Sequence, residues 1–133
     1  MKVLKIEHIG VAVKSSSESA AFYKLLGLEV EGEENVGSDL KVAMLGVGES
    51  EIELLEPATP EATVAKFIEK RGEGIHHLAL SVEDLDGAVK ELLAAGVRMI
   101  DQAPRPGAGG TMVAFVHPSA AKGVLIELVQ AHK

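Results

Sequence analysis

The hydrophobic pattern along the chain switches between two periods, and the switches mark the elements. Residues 4–13, "LKIEHIGVAV", are rich in β-branched side chains and predict a strand. Residues 14–29, "KSSSESAAFYKLLGLE", carry serine cap candidates at 15–17, an amphipathic stretch and Gly27 as a stop, which predicts a short helix. Residues 28–34, "LEVEGEE", alternate apolar and charged positions, as a half-exposed strand does. Two further strands are predicted at 40–48, "LKVAMLGVG", and 51–57, "EIELLEP", with a glycine-containing turn between them. Pro57 and Pro60 mark a linker. Residues 61–72, "EATVAKFIEKRG", predict a helix stopped by Gly72.

The pattern then restarts. Residues 75–82, "IHHLALSV", predict a strand. Residues 83–97, "EDLDGAVKELLAAGV", supply an Asp cap candidate, an apolar stripe at Leu85, Val89, Leu92 and Leu93, and Gly96 as the stop. A short strand at 97–101, "VRMID", leads into a loop at 102–110, "QAPRPGAGG". The last strands are predicted at 111–118, "TMVAFVHP", and 123–131, "GVLIELVQA".

The restart is an internal repeat. Laying "IEHIGVAV" on "IHHLALSV" sets His8 on His77, and the same shift carries Gly27 to Gly96 and Leu28 to Val97. At the far end "EIELLE" lies on "VLIELV", with Glu53 on Glu127 at a slightly larger shift. The second half therefore holds about five extra residues, and the 102–110 loop accommodates them. Each half reads βαβββ. A half this small buries too little core alone, so the two are expected to pack as one α+β domain over 1–133. The pseudo-repeats run over about 1–57 and 73–133, joined by a linker helix at about 61–71.

Strand alternation turns the repeat into chemistry. His8, Gly10 and Ala12 share one parity, answered by His77, Ala79 and Ser81. Ile9, Val11 and Val13 share the other, answered by Leu78, Leu80 and Val82. The large apolar face is expected against the helices, and the histidine face, with small neighbours, leaves room for a cleft. His76 has the other parity, that of Glu7, and reads as structural. "VLIELV" is apolar on both parities apart from Glu127. A carboxylate buried there costs several kcal/mol unless paired or bound to metal. Glu53 sits in a more polar strand, beside Glu51 and Glu56. A lone strand histidine or buried glutamate is usually a hydrogen-bonded core residue. Core filling gives no reason, however, for both to recur at matching places in two halves. If the halves pair pseudo-symmetrically, His8, Glu53, His77 and Glu127 converge as a two-imidazole, two-carboxylate site for a divalent metal such as Co²⁺, Mn²⁺, Ni²⁺, Zn²⁺ or Fe²⁺.

Composition narrows the field. The chain has no cysteine, which removes disulfides, thiolate metal sites and thiol nucleophiles and fits a cytoplasmic protein. No apolar run is long enough to span a membrane, and the N-terminus lacks a signal peptide's pattern. The formal charge of −7 argues against a nucleic-acid surface. "RPGAGG" lacks the spacing of a Walker or dinucleotide loop. Its glycines are either plain loop or a source of N–H groups for an anion. Lys66, Lys70 and Arg71 read first as a solvated face, His117 as a strand-end residue and His132 as solvated.

These residues resemble a known family. Paired βαβββ halves, each opened by a histidine and closed by Glu or Gln and Glu, resemble the vicinal oxygen chelate, or glyoxalase-like, superfamily. Within it the chain is most similar to the methylmalonyl-CoA epimerases. The phrases that carry this are "IEHIGVAV", "AFYKLLGLEV", "EIELLEP", "TVAKFIEKRGEGIHHLAL", "GVRMIDQAPRPGAGG", "VAFVHP" and "KGVLIEL", over nearly the whole chain. The resemblance implies two modules forming an open-sided mixed β-barrel, a homodimer, and a divalent metal, Co²⁺ foremost. It implies His8, Glu53, His77 and Glu127 as ligands. It implies interconversion of (2R)- and (2S)-methylmalonyl-CoA, a CoA thioester. Some members place a glutamate base in the strand before the second ligand; here Val42 holds that position, and Glu53 is the second ligand.

The chemistry that follows is C2 proton abstraction and return through a metal-stabilised enolate. Glu127 and Glu53 are the expected bases on opposite faces, with Glu51 as a fallback. Lys66, Lys70, Arg71, Arg105 and Lys122 are candidates for the CoA phosphates. Gly109 and Gly110, within Gly107 to Thr111, are candidates for the substrate carboxylate. The rival readings are a glyoxalase-type metal isomerase acting on a glutathione hemithioacetal, a dioxygenase, and a non-catalytic binding module of the same fold. Glu53 as a fourth candidate ligand argues against the dioxygenase, which commonly uses three.

Overall fold

The fold is that of a computed structural model, and residues 1–132 are described. The chain forms two compact units: His8–His76, and Met1–Glu7 together with the chain from His77 onward.

The first unit contains the second half of β1 (Val3–Ala12), with α1 (Ser16–Leu25), β2 (Val30–Val36), β3 (Leu40–Val47), β4 (Ser50–Pro57) and α2 (Thr63–Arg71). Its strands are hydrogen-bonded in the order β2-β3-β4-β1. The β1/β4 pair is parallel and the others antiparallel. The second contains most of β5 (Gly74–Val82), α3 (Leu85–Ala94), β6 (Arg105–Pro106), β7 (Met112–Val116) and β8 (Ile126–Gln130). Its order is β5-β8-β7-β6, with β5/β8 parallel and the rest antiparallel.

The repeat predicted from the sequence holds at the level of register. Gly10 faces Glu53 across β1/β4, and Ala79 faces Glu127 across β5/β8. Both sequence shifts, that of the histidine strands and that of the glutamate strands, are thus reproduced in the ladders. The helix ends repeat as well. Ser15 Oγ accepts from the Glu18 N–H at 3.2 Å, and Asp84 Oδ1 accepts from the Gly87 N–H at 3.1 Å. At the other end the Leu28 N–H donates to the Tyr23 carbonyl and the Val97 N–H to the Leu92 carbonyl. Gly27 and Gly96, at φ 90° and 82°, make that reversal without the strain a side chain brings. Both helices have a second N-terminal partner from the last strand of their half. Glu56 Oε1 accepts from the Ser16 N–H at 2.7 Å, and Gln130 Oε1 accepts from the Leu85 N–H at 2.9 Å.

The expected division of faces is also present. Val11 and Val13 pack with Ala20 and Tyr23 of α1, together with Leu45 and Leu54. Leu80 and Val82 pack with Leu85, Ala88 and Val89 of α3. The histidine face has its own smaller clusters. Ala12 joins Val42, Leu55 and Val64, with Phe67 and Ile68 of α2 alongside. Ala79 joins Val113 and Val129, with Phe115 alongside.

Several elements differ from expectation, among them β8, which begins at Ile126 rather than at 123. Helix α2 begins at Thr63, slightly later than the pattern suggests. The strand expected at 97–101 reduces to a single bridge between Met99 and Val116. A short strand, Arg105–Pro106, appears inside the predicted loop and pairs with Met112 and Val113. Pro104 and Pro106 lack the N–H that would extend that ladder, so the pairing stays short and at an edge.

Candidate metal and proton-transfer site

The four chemically suspect residues are all buried: His8 at 4% exposure, and Glu53, His77 and Glu127 at 6% each. Each unit contains one imidazole–carboxylate pair. In the first, His8 Nδ1 lies 3.3 Å from Glu53 Oε2. In the second, His77 Nε2 lies 3.0 Å from Glu127 Oε1. The parallel ladders bring this about. Each histidine stands two positions before the small residue that faces the glutamate, so the longer imidazole leans along the strand to meet the carboxylate. Small Gly10 and Ala79 leave space for it. The two pairs differ in the ring nitrogen presented, Nδ1 of His8 and Nε2 of His77.

Such a pair has two uses. A hydrogen bond from imidazole offsets part of the cost of burying the carboxylate. The donor set also fits a divalent ion. Two ligand atoms about 2.1 Å from one ion and near right angles to each other lie about 3 Å apart. The separations of 3.3 Å and 3.0 Å match that within each pair. Imidazole nitrogen with carboxylate oxygen is a borderline set suited to first-row divalent metals.

The surroundings of the pairs are unequal. Phe115 of β7 faces Glu127, and its ring meets the His77 ring edge-on, with centroids 5.6 Å apart and planes at 80°. Met44 of β3 is the residue that faces Glu53. Val42 faces Leu55 and is 1% exposed within its core cluster. The first half therefore has no acid or base at position 42. Glu51 faces His8 across β1/β4 and is half-buried.

The remaining candidates separate from the pairs. His76 packs edge-on against Phe67 of α2, with centroids 4.9 Å apart, as its parity implies. His117 caps a 3-10 turn at Pro118–Ala121, with Nδ1 accepting from the Ser119 N–H at 3.0 Å. His132 is exposed. Arg71 lies over the Phe67 ring at 5.9 Å. Lys66, Lys70 and Lys122 are exposed. Gly109 and Gly110 have positive φ in a 3-10 turn. In that loop the Gly107 N–H donates to the Thr111 carbonyl and the Thr111 N–H to the Ala108 carbonyl, so these two backbone donors serve the loop itself.

Sequence reasoning missed Phe115 and Asp101. Phe115 falls within a predicted strand, and its place beside His77 depends on a β7/β8 register that no local pattern encodes. Asp101 accepts from the Phe115 N–H at 2.8 Å through Oδ2 and from Arg105 Nε at 2.8 Å through Oδ1.

Comparison with known proteins agrees with this geometry. Residues 7–115 match the Glyoxalase/Bleomycin resistance protein/Dioxygenase superfamily. The mitochondrial methylmalonyl-CoA epimerase of Dictyostelium discoideum is 39% identical over 127 residues, covering 93% of this chain and 76% of that protein. An ethylmalonyl-CoA/methylmalonyl-CoA epimerase of Cereibacter sphaeroides is 35% identical over 130 residues, covering 95% of this chain and 97% of that protein. A methylmalonyl-CoA epimerase solved in complex with methylmalonyl-CoA and NH4+ superposes with a TM-score of 0.93 at 34% identity, covering 98% of this chain and 96% of that one. A repeated βαβββ fold, a repeated buried histidine–glutamate pair and these likenesses lead to one conclusion: the chain belongs to the glyoxalase superfamily and, within it, to the methylmalonyl-CoA epimerases.

Proposed function

We propose that this protein interconverts (2R)- and (2S)-methylmalonyl-CoA with the help of a divalent metal, for which His8, Glu53, His77 and Glu127 are the ligands that the family resemblance implies. The observation that carries the reading is the recurrence of the buried imidazole–carboxylate pair, at 3.3 Å and 3.0 Å, in both halves of an epimerase-family chain. When bound, the ion supplies Lewis-acid polarisation of a carbonyl oxygen, an effect worth several kcal/mol.

The chain's own residues supply the proton path. The C2 proton of the substrate is acidic because a thioester carbonyl and a carboxylate flank that carbon. One carboxylate, Glu127, takes this proton onto a carboxyl oxygen. Glu53, which enters the step as the protonated carboxylic acid, gives its proton to the opposite face and leaves as the carboxylate, and the configuration inverts. The next turnover, in the reverse direction, uses the two in exchanged roles. General acid–base help of this kind is worth about 10²–10⁴-fold. Burial of both carboxylates keeps water from competing for the proton. Glu51, half-buried across from His8, is the reserve base in this scheme. Gly109 and Gly110 are assigned to the substrate carboxylate, and Lys66, Lys70, Arg71, Arg105 and Lys122 to the CoA phosphates.

Cobalt as the metal, a homodimer and a cytoplasmic location complete the reading, on the strength of the family resemblance. Metal analysis of the purified protein and light scattering test the first two. The roles of the carboxylates are tested by C2 deuterium exchange in Glu127→Gln and Glu53→Gln. Each is expected to lose about 10²-fold or more. Near-normal exchange and turnover in both variants would sink the assignment.

A further inference from the structure

Among the basic side chains that are candidates for the CoA phosphates, Arg105 is held differently from the rest. Its Nε donates to Asp101 Oδ1 at 2.8 Å. Its guanidinium carbon lies 5.3 Å from the centroid of the Phe115 ring. The Asp101 carboxylate is itself fixed, since Oδ2 accepts from the Phe115 backbone N–H at 2.8 Å, and its side chain is only 14% exposed. The Arg105 side chain is 51% exposed. A guanidinium carries five N–H donors in a rigid fork. Asp101 engages the Nε edge, and the Phe115 face fixes the plane. That bond uses Nε, and the Nη donors take no part in it. An arginine left free on a surface loses about 2 kcal/mol of rotamer entropy when it binds; one already oriented loses less.

The position indicates which anion it suits. The Phe115 ring contacts both the His77 ring and the Arg105 guanidinium. Arg105 stands on β6, the edge strand of its sheet, and both residues of that strand are exposed, whereas His77 and Glu127 are buried. A guanidinium fork matches a phosphate bidentately. An exposed edge-strand cation suits the anion at the outer end of a long ligand. Building on the proposed function, we infer that Arg105 is a preorganised contact for a phosphate of the CoA moiety, and that Asp101 is its positioning residue.

Two substrates and one non-reacting ligand test this. Methylmalonyl-CoA and methylmalonyl-pantetheine share the acyl group and thioester, but only the former has the phosphates bonded by an Arg fork. Coenzyme A itself has the phosphates and no C2 proton. Arg105→Gln is expected to raise KM for methylmalonyl-CoA about 10-fold or more, the effect of losing a charge-assisted hydrogen bond, with kcat within about twofold. KM for methylmalonyl-pantetheine should stay within about twofold of wild type. Calorimetric titration should show the same weakening for coenzyme A. Arg105→Lys should recover only part of it, because a point charge lacks the fork. Asp101→Asn should give a smaller KM increase confined to the phosphate-bearing substrate.

An equal KM increase for both thioesters would overturn the proposal and assign Arg105 to the acyl end or to the fold. Unchanged binding of coenzyme A by Arg105→Gln would overturn it too. The titration reads this contact without turnover. A wild-type protein that binds coenzyme A through Arg105 but does not epimerise contradicts the proposed function and leaves this inference standing.

Discussion

The Glu56 carboxylate, at the end of β4, accepts a 2.7 Å hydrogen bond from the backbone N–H of Ser16, the first residue of α1. Gln130 does the same for Leu85 at the start of α3. Leu85 follows Ser16 at the shift that relates His77 to His8, and Gln130 follows Glu56 at the shift that relates Glu127 to Glu53. A single folding unit is used twice, and the tie from last strand to helix start belongs to it. The first four N–H groups of a helix have no partner within it, so each tie satisfies one of them. Glu56→Ala and Gln130→Ala are therefore expected to lower stability by about 0.5–2 kcal/mol each. Urea denaturation checks this, through a lower midpoint at unchanged slope.

The neighbouring histidines His76 and His77 should separate in metal content. His77 is 3.0 Å from Glu127, whereas His76 packs on Phe67. His77→Ala is expected to reduce metal bound after dialysis to a small fraction of one equivalent. His76→Ala should retain about the wild-type content. Inductively coupled plasma analysis of the two variants distinguishes them. Equal retention by both would remove His77 from the ligand set.

Metal should stabilise the fold by mass action. At 100-fold excess over Kd, a ligand that binds only the native state contributes about 2.7 kcal/mol. Added Co²⁺ is expected to raise the melting temperature of chelator-treated protein by several degrees. The shift should vanish in a double variant carrying His8→Ala and His77→Ala. Differential scanning calorimetry reads both.

Val42 is expected to resist a change to glutamate. Its side chain is 1% exposed in an apolar cluster with Ala12, Leu55 and Val64. Burying a carboxyl group in place of an apolar side chain there costs about 1–3 kcal/mol. Val42→Glu should lower the urea midpoint without raising the rate of C2 exchange. A gain in exchange at unchanged stability would show that position 42 can supply a base in this chain.

The halves are legible because their strongest signals are local. Cap residues Ser15 and Asp84 and the stops Gly27 and Gly96 act within one helical turn, so a single sequence displays them. Strand parity separates His77 from His76 because alternation is a local property as well. Pairing is not local. The bridge of Met99 to Val116 and the pairing of Arg105 with Val113 depend on register across a loop interrupted by Pro104 and Pro106. The same holds for the contacts of Phe115 with His77 and Arg105. In the sequence Glu56 is only one more charge in a polar strand. Its role at Ser16 requires the β1/β4 pairing to bring two distant stretches of chain together.

The proposed mechanism rests on two buried carboxylates and a divalent metal that together move a proton at C2. The most direct measurement follows one enantiomer of methylmalonyl-CoA in D2O with cobalt-loaded protein, by NMR and mass spectrometry, with and without chelator. The inverted product is expected to carry one solvent deuterium at C2, and chelation is expected to abolish both inversion and exchange. Inversion that persists at full rate after the metal is removed would contradict the mechanism, as would a product that forms without exchange at C2.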